Sequence, residues 1–278
     1  MPCVRRPRKR SALARKYISA LSRNAIVRQA HAAGNLGQNG RQQSAREIIC
    51  TGEKRAIEMG LALEVGMLAG MVEYQDEECA QWFNEEMARL NSFLLSFGLK
   101  EHKEPEACEV FSCSMRGYSG LHYLRRLAAH VNLRNELPGS GDDDSSDDPV
   151  LREYYRIVEK GSDDEQSKLK FDHLILHSDS EGYYLPQDFE VPLIPPESLK
   201  VAGDIVGSSL RLLRECEALA GYLKLPLSRE PVSMADWSVL DQEVVDVEAE
   251  YLVEKFIWRR LYLAAKYSVQ SGAAIVFC

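Results

Sequence analysis

The side chains best suited to acid–base or metal chemistry are four histidines and three carboxylates: His122, His130, His173, His177, Asp179, Glu181 and Asp188. Histidine exchanges protons near neutral pH and binds transition metals, and a neighbouring carboxylate can orient it or share the metal. The weak candidates for a catalytic His/Asp site are His122, His177 and Asp179, provided that folding brings them together. Such a site would suit a small hydrolase or a nucleotide-handling enzyme.

The spacing of the histidines does not favour a metal site. On a strand, His173 and His177 share a face but stand about 13 Å apart, at about 3.3 Å per residue. On a helix, His122 and His130 are separated by a rise of about 12 Å. Neither pair chelates an ion by itself, and the HExxH spacing is absent. We therefore predict separately hydrogen-bonded or solvated histidines, with no metal and no cofactor.

The acidic loop at residues 139–148 imitates part of a calcium-binding loop. Ligand positions one, three, five and twelve of such a loop fall on Asp142, Asp144, Ser146 and Glu153. However, Asp147 stands where the calcium loop needs glycine, and Pro149 interrupts its second half. The pattern is more typical of a solvated linker that ends in a helix cap at Asp148, with proline at the first helical position.

Two further motifs are incomplete. Gly203 and the run Gly207–Ser209 precede a predicted helix whose free N–H groups could bind phosphate, but no lysine follows to complete a P-loop. Small residues that let a helix pack closely explain the same pattern. Cys108 and Cys113 have the spacing that opens a ferredoxin cluster motif, but the next cysteine is missing. The seven cysteines are odd in number and irregularly spaced, which favours mostly reduced, buried thiols.

The segment from Phe171 to Leu185 predicts a β-hairpin. Both alternating sets in residues 171–177 contain apolar side chains, Gly182 ends a polar turn, and strand character resumes after it. Alternation places Tyr183 and Tyr184 on opposite faces, so at most one of them should belong to the core. We take the hairpin tip as the preferred binding surface, with Asp179, Glu181, Tyr183 and Tyr184 as its binding residues. A solvated turn beside two structural tyrosines is the alternative.

The remaining periodicity predicts an α+β fold: one domain in which several helices pack on a small mixed sheet. Apolar spacing and end signals indicate helices over residues 76–97, from residue 119 to about 137, over 149–159 and 208–223, and over 244–271. Ser208 or Ser209 can cap the fourth of these helices, and Gly272 should end the fifth. Buried strands are expected in residues 60–72 and 273–278, and a short strand in residues 110–113.

Charge divides the chain at Met59. Residues 1–58 hold 13 Lys and Arg against 3 Asp and Glu, whereas residues 59–278 hold 21 against 39, which gives net charges of +10 and −18. The basic segment has little apolar periodicity and is expected to be disordered. Three explanations are open: an organellar presequence, a basic nucleic-acid arm, or translated upstream sequence with the true start at Met59.

The acidic part of the chain limits its partners. A net charge of −18 disfavours nucleic acid and anionic membranes, and no apolar run approaches the roughly 20 residues that cross a bilayer. Because no catalytic motif is complete, the sequence favours a cytoplasmic, acidic binding protein that neutralises a basic protein partner. An organellar location is the alternative if the basic segment is a presequence. The oligomeric state is left open.

Deleting residues 1–58 tests the boundary at Met59. Because the basic segment should bury little apolar surface, the shortened chain should keep the melting temperature and helix content of the full chain. Circular dichroism with thermal unfolding measures both. A large loss of either would show that the basic segment packs on the acidic body.

Overall fold

The computed structural model describes residues 61–115, 119–139, 145–227 and 250–278. In these ranges eight α-helices pack on a five-stranded mixed sheet, which confirms the predicted α+β class. The predicted basic segment, residues 1–58, lies outside the described residues. So do Asp142 and Asp144, and the first part of the predicted helix at residues 244–271.

The sheet has the strand order β2-β1-β5-β3-β4. Its strands are β1 (Ala62–Val65), β2 (Phe111–Ser114), β3 (Gly182–Leu185), β4 (Val206–Ser208) and β5 (Ile275–Phe277). Strands β3 and β4 are parallel, and the other neighbouring pairs are antiparallel. The predicted C-terminal strand therefore occupies the centre of the sheet.

The helices are α1 (Met67–Glu73), α2 (Glu77–Ser96), α3 (Ser119–Arg134), α4 (Pro149–Lys160), α5 (Asp163–Gln166), α6 (Asp172–Ile175), α7 (Ser209–Leu223) and α8 (Leu252–Ser271). The predicted caps at Asp148 and Ser208 are confirmed, because each side chain accepts a hydrogen bond from a backbone N–H of the first helical turn. Asp76 caps α2 in the same way. Gly272 ends α8 with a φ of 78°, a conformation that glycine adopts without a steric cost.

Both faces of the sheet are covered. Tyr184, Ile275 and Phe277 join the core that α3, α4, α7 and α8 form on one face. Tyr183, Leu185 and Val276 join the core that α2 forms on the other face. Alternation along β3 and β5 thus distributes apolar residues to two cores, and the short strands are buried on both sides.

The predicted strand at residues 171–177 is wrong, and so is the hairpin. The segment forms the single-turn helix α6, and β3 pairs with β4 and β5 instead. A carboxylate from α7 explains the difference: Glu215 accepts the backbone N–H groups of His173 at 3.1 Å and Leu174 at 2.7 Å. These are the free donors of a helical first turn, so a buried carboxylate beside them stabilises the turn over an extended strand.

The predicted strand at residues 60–72 is correct only over Ala62–Val65. Gly66 follows with a φ of 80° and turns the chain into α1. A Cβ at this position would also lie 2.7 Å from the Sγ of Cys108. The left-handed conformation and the close contact both require glycine, which is why the apolar run cannot continue as one strand.

Removing the Glu215 carboxylate should destabilise the fold. Glu215→Ala leaves two buried N–H groups without an acceptor, which should cost about 2–4 kcal/mol of unfolding free energy. Glu215→Gln keeps one acceptor oxygen and should lose less. Denaturant unfolding followed by circular dichroism measures both values.

The exposed Glu217 on the same helix supplies the control, since Glu217→Gln should change stability by no more than about 0.5 kcal/mol. Equal stability of Glu215→Ala and Glu217→Gln would contradict the role of Glu215 as the acceptor that holds α6.

Candidate functional site

His122, in the first turn of α3, and Asp179 come together. The Nε2 of His122 lies 3.1 Å from the Oδ2 of Asp179, and the two side chains are 12% and 15% exposed. The Nη1 of Arg125 lies 4.0 Å from the same oxygen. Burial raises the pKa of the Asp179 carboxyl, but the hydrogen bond from His122 and the charge of Arg125 together place that pKa below its ordinary value. Asp179 is therefore an ionised carboxylate with two cationic or hydrogen-bonding neighbours.

The ring of His177 does not join this pair. Its Nδ1 lies 3.1 Å from the carbonyl oxygen of Ser178 and its Nε2 lies 3.0 Å from that of Tyr183. The ring also stacks on Tyr184, with 3.9 Å between centroids. Burial lowers the pKa of His177 to about 4, so the ring is neutral at physiological pH. Of the three catalytic candidates, the structure brings together His122 and Asp179 only.

Arg125 organises the segment that carries these residues, although its position on α3 was not singled out from the sequence. The buried guanidinium donates to the carbonyl oxygens of Leu174 at 3.2 Å, His177 at 2.6 Å and Ser178 at 3.2 Å. These acceptors lie in the last turn of α6 or just after it, where a cation is favoured. The sequence signal that could have revealed Arg125 is its position directly after Leu124, a residue of the apolar stripe of this helix.

His173 is a structural histidine. Its Nδ1 accepts the backbone N–H of Ser208 at 3.0 Å, and its Nε2 donates to the carbonyl of Phe189 at 3.2 Å. This arrangement needs the neutral ring, and burial lowers the pKa of His173 to about 3. His173 thereby joins α6 to the start of α7.

The other chemically interesting residues lie elsewhere. His130 contacts Asp148, and the carboxylate of Asp148 also accepts a hydrogen bond from the Nε of Arg126 at 3.0 Å. Asp188 forms ion pairs with two arginines of α7. Across the part of the chain that the structure describes, no group of three or more His, Cys, Asp or Glu is placed to hold a metal ion.

The acidic loop and the glycine–serine run before α7 have structural explanations in the part of the chain that the structure describes. Glu153 pairs with Arg134, and Asp148 caps α4. At the start of α7, Ser208 is fully buried and caps its own helix. A Cβ on Gly207 would lie 2.2 Å from the Tyr184 ring, so glycine makes room for a core aromatic. None of the cysteines in the described ranges forms a disulfide bond.

The predicted binding tip is only partly at the surface. Tyr183 and Tyr184 are each 1% exposed and occupy opposite faces of the sheet, so the expectation that at most one of them is core is wrong. The reason is that helices cover both faces. Glu181 is exposed, whereas Asp179 is half-buried in its contact with His122. A binding role for these two carboxylates stays a prediction.

The described surface is dominated by carboxylates. Among the described residues, 19 Asp and Glu are exposed against 11 Lys and Arg. Burial does not create this imbalance, because four arginines and four acids are buried alike: Arg125, Arg126, Arg259 and Arg260 against Glu86, Asp172, Glu215 and Glu254. Arg125 and Arg260 donate to backbone carbonyls, and Arg126 pairs with Asp148. No helix among the described residues is long and apolar enough to span a membrane.

Fold and surface together define an acidic α+β interaction protein. Residues 59–277 match the model of the family described as "Putative DNA-mimic protein", and the chain belongs to that family. No curated protein and no solved structure matches the chain.

The two buried histidines should make stability depend on pH. In the unfolded chain each histidine takes up a proton below about pH 6.5, whereas the folded pKa values are about 3 for His173 and about 4 for His177. The unfolded state therefore binds more protons, and stability should fall as the pH drops from 6.5 towards 4. Each histidine should lower the free energy of unfolding by about 1.4 kcal/mol for each pH unit in this window.

Denaturant unfolding at pH 7.5 and 5.5 measures the loss. Burial raises the pKa of Glu215 well above its ordinary value, so Glu215 acts in the opposite direction and moderates the slope. The variant His177→Gln should show a smaller loss between the two pH values than the wild type. An identical loss in the variant would contradict the assignment of His177.

Proposed function

We propose that this protein mimics DNA: it presents carboxylates to the basic, DNA-contacting surface of a DNA-binding protein and competes there with DNA. The observation that carries the proposal is the family match over residues 59–277, to which the acidic surface gives a physical basis. Carboxylates accept charge-assisted hydrogen bonds from Lys and Arg, as phosphate oxygens do.

The charge distribution supports a protein partner. The acidic body has a net charge of −18, which repels DNA but attracts a surface that evolved to bind phosphates. Double-stranded DNA carries one negative charge for about 1.7 Å of its axis, so its binding proteins present several cations in a row. A surface with 19 exposed carboxylates among the described residues supplies many acceptors for such a row.

The placement of the arginines supports the same function. A mimic of DNA must not offer cations of its own at the contact, because like charges facing each other weaken association. Arg125 and Arg126 lie inside the protein, where carbonyl or carboxylate oxygens accept their hydrogen bonds. We place the protein in the cytoplasm together with its DNA-binding partner, and the exposed Glu181 at the predicted tip is one proposed contact.

Displacement from DNA tests the proposal. A lysate of the organism that naturally makes this protein is loaded on duplex-DNA cellulose at fixed, near-physiological salt. The purified full-length protein is then added to the bound material. It should release a small set of DNA-binding proteins, and this release should weaken as salt increases.

Polyglutamate at the same carboxylate concentration is the control for charge alone. A mimic should release its partners at a much lower concentration than polyglutamate, because its carboxylates are held in place by the fold. If the protein releases nothing, or only what polyglutamate releases at the same concentration, the DNA-mimic function is wrong.

A further inference from the structure

The corner between α1 and α2 exposes an aromatic ring to solvent. Helix α1 ends at Glu73, and α2 begins only three residues after Tyr74. Tyr74 is 83% exposed, the largest exposure among the described large hydrophobic residues that lie at the surface. An exposed tyrosine presents a flat ring and a hydroxyl group with few side-chain torsions to immobilise, and such residues are enriched at binding surfaces.

Carboxylates flank Tyr74 in the chain. Glu73, Glu77 and Glu78 are all exposed, and none of them forms an ion pair with a described residue. Residues 56–88 contain eight Asp and Glu and no Lys, Arg or His. Some exposed acids elsewhere have basic partners, as Asp164 has Lys168 and Asp188 has Arg214, whereas others such as Glu136 have no ion pair with a described residue. The corner therefore carries several negative charges in a stretch of the chain that contains no cationic residue.

A second segment widens the surface. Val110 is 41% exposed, and its Cγ2 lies 3.6 Å from the position that a Cβ on Gly70 would occupy. Tyr74 lies one helical turn beyond Gly70, since its N–H donates to the Gly70 carbonyl at 3.0 Å. Val110 thus lies along the same side of α1 that leads to Tyr74, and the exposed Glu109 precedes it. We call Glu73, Tyr74, Glu77, Glu78 and Val110 the corner patch.

The corner is held rigidly from below. Leu68 of α1 and Phe83, Met87 and Leu90 of α2 are buried in one core cluster. Asp76 caps α2 by accepting the backbone N–H of Cys79 at 3.0 Å. Because the backbone is already ordered, a partner that binds here loses little affinity to ordering the corner.

We propose that the corner patch is the surface that contacts the DNA-binding protein, and this inference builds on the proposed function. The carboxylates of Glu73, Glu77 and Glu78 take the place of phosphates and accept hydrogen bonds from Lys and Arg. The Tyr74 ring packs against an arginine guanidinium or a lysine stem of the partner, and Val110 extends the apolar contact. The occupant is the basic, DNA-contacting surface of a protein, because only such a surface complements both the charges and the ring.

Substitutions in the full-length protein test the inference in the DNA-cellulose displacement assay. The triple variant Glu73→Gln, Glu77→Gln, Glu78→Gln should need at least about tenfold more protein to release the same DNA-bound proteins, because it removes three charged contacts. Tyr74→Ser should also weaken release by about tenfold, although it changes no charge.

The matched control removes the same charge elsewhere. The control variant changes three exposed carboxylates outside the corner patch: Glu136→Gln, Glu197→Gln and Glu217→Gln. The amount of this variant needed for release should stay within about twofold of the wild-type amount. Circular dichroism and thermal unfolding must show that all variants are folded. Tyr74→Ser keeps the test decisive even if the triple variant weakens the start of α2.

The outcomes separate this inference from the proposed function. If the wild type releases no more than polyglutamate, the function and the corner patch are both wrong. If the wild type releases DNA-binding proteins, but Tyr74→Ser acts like the wild type and the corner triple acts like the control triple, the function stands and the corner patch is wrong. Loss in the corner variants with retention in the control supports the corner patch.

Discussion

The position of the segment from Phe171 to Leu185 depends on one buried carboxylate. Glu215 of α7 accepts two consecutive backbone N–H groups at the start of α6, at His173 and Leu174. A carboxylate buried without such donors would be very costly, and buried N–H groups at a helix end without an acceptor would also lower stability. The two groups therefore satisfy each other, and α6 and α7 are fixed in relation to one another.

Further polar contacts extend outward from this point. Tyr154 donates to the carboxylate of Asp172 at 2.8 Å and accepts the N–H of Phe171, so α4 is joined to α6. His173 joins α6 to Ser208 at the start of α7, and Arg125 holds the carbonyls at the other end of α6. Because each buried polar group in this set has a partner, the network specifies one arrangement of the helices over the sheet. The histidines serve this network, and their burial within it lowers their pKa values.

Local patterns predicted those parts of the fold that local chemistry decides. The stripe of α2, the caps at Asp148 and Ser208, and the glycine that ends α8 were all apparent in the sequence, because their partners lie within one or two turns. The C-terminal strand was apparent from its continuous apolar run, which is typical of a strand covered on both faces.

The failures occur where a distant residue decides the local structure. The apolar residues of the segment 171–177 fit a strand, but they fit a buried helical turn equally well. The choice depends on Glu215, more than 40 positions later in the chain, and the sequence contains no local sign of that contact. The same limit applies to Tyr183 and Tyr184: alternation correctly separates them, but only the packing of α2 and of the helices on the opposite face buries both.

The candidate site could be predicted even less well, because a docking surface leaves no local motif. Histidines and the serine-rich start of α7 attract attention because catalytic motifs use such residues, yet here they satisfy buried backbone groups. The feature in the sequence that does bear on binding is the separation of charge, with a net −18 after residue 58. That signal identifies the sign of the partner's charge but not the surface that meets it.

Burial and charge are linked in the proposed mimic. A protein that competes with DNA must keep many like charges on its surface, and their mutual repulsion opposes folding. The interior must compensate, and here it does so through two apolar cores and a polar network whose arginines bind backbone carbonyls and internal carboxylates. Placing those cations inside stabilises the interior and at the same time removes them from the surface that a basic partner would approach. Because the four acids Glu86, Asp172, Glu215 and Glu254 are buried as well, the surface is acidic through the excess of carboxylates in the chain and not through the burial of these arginines.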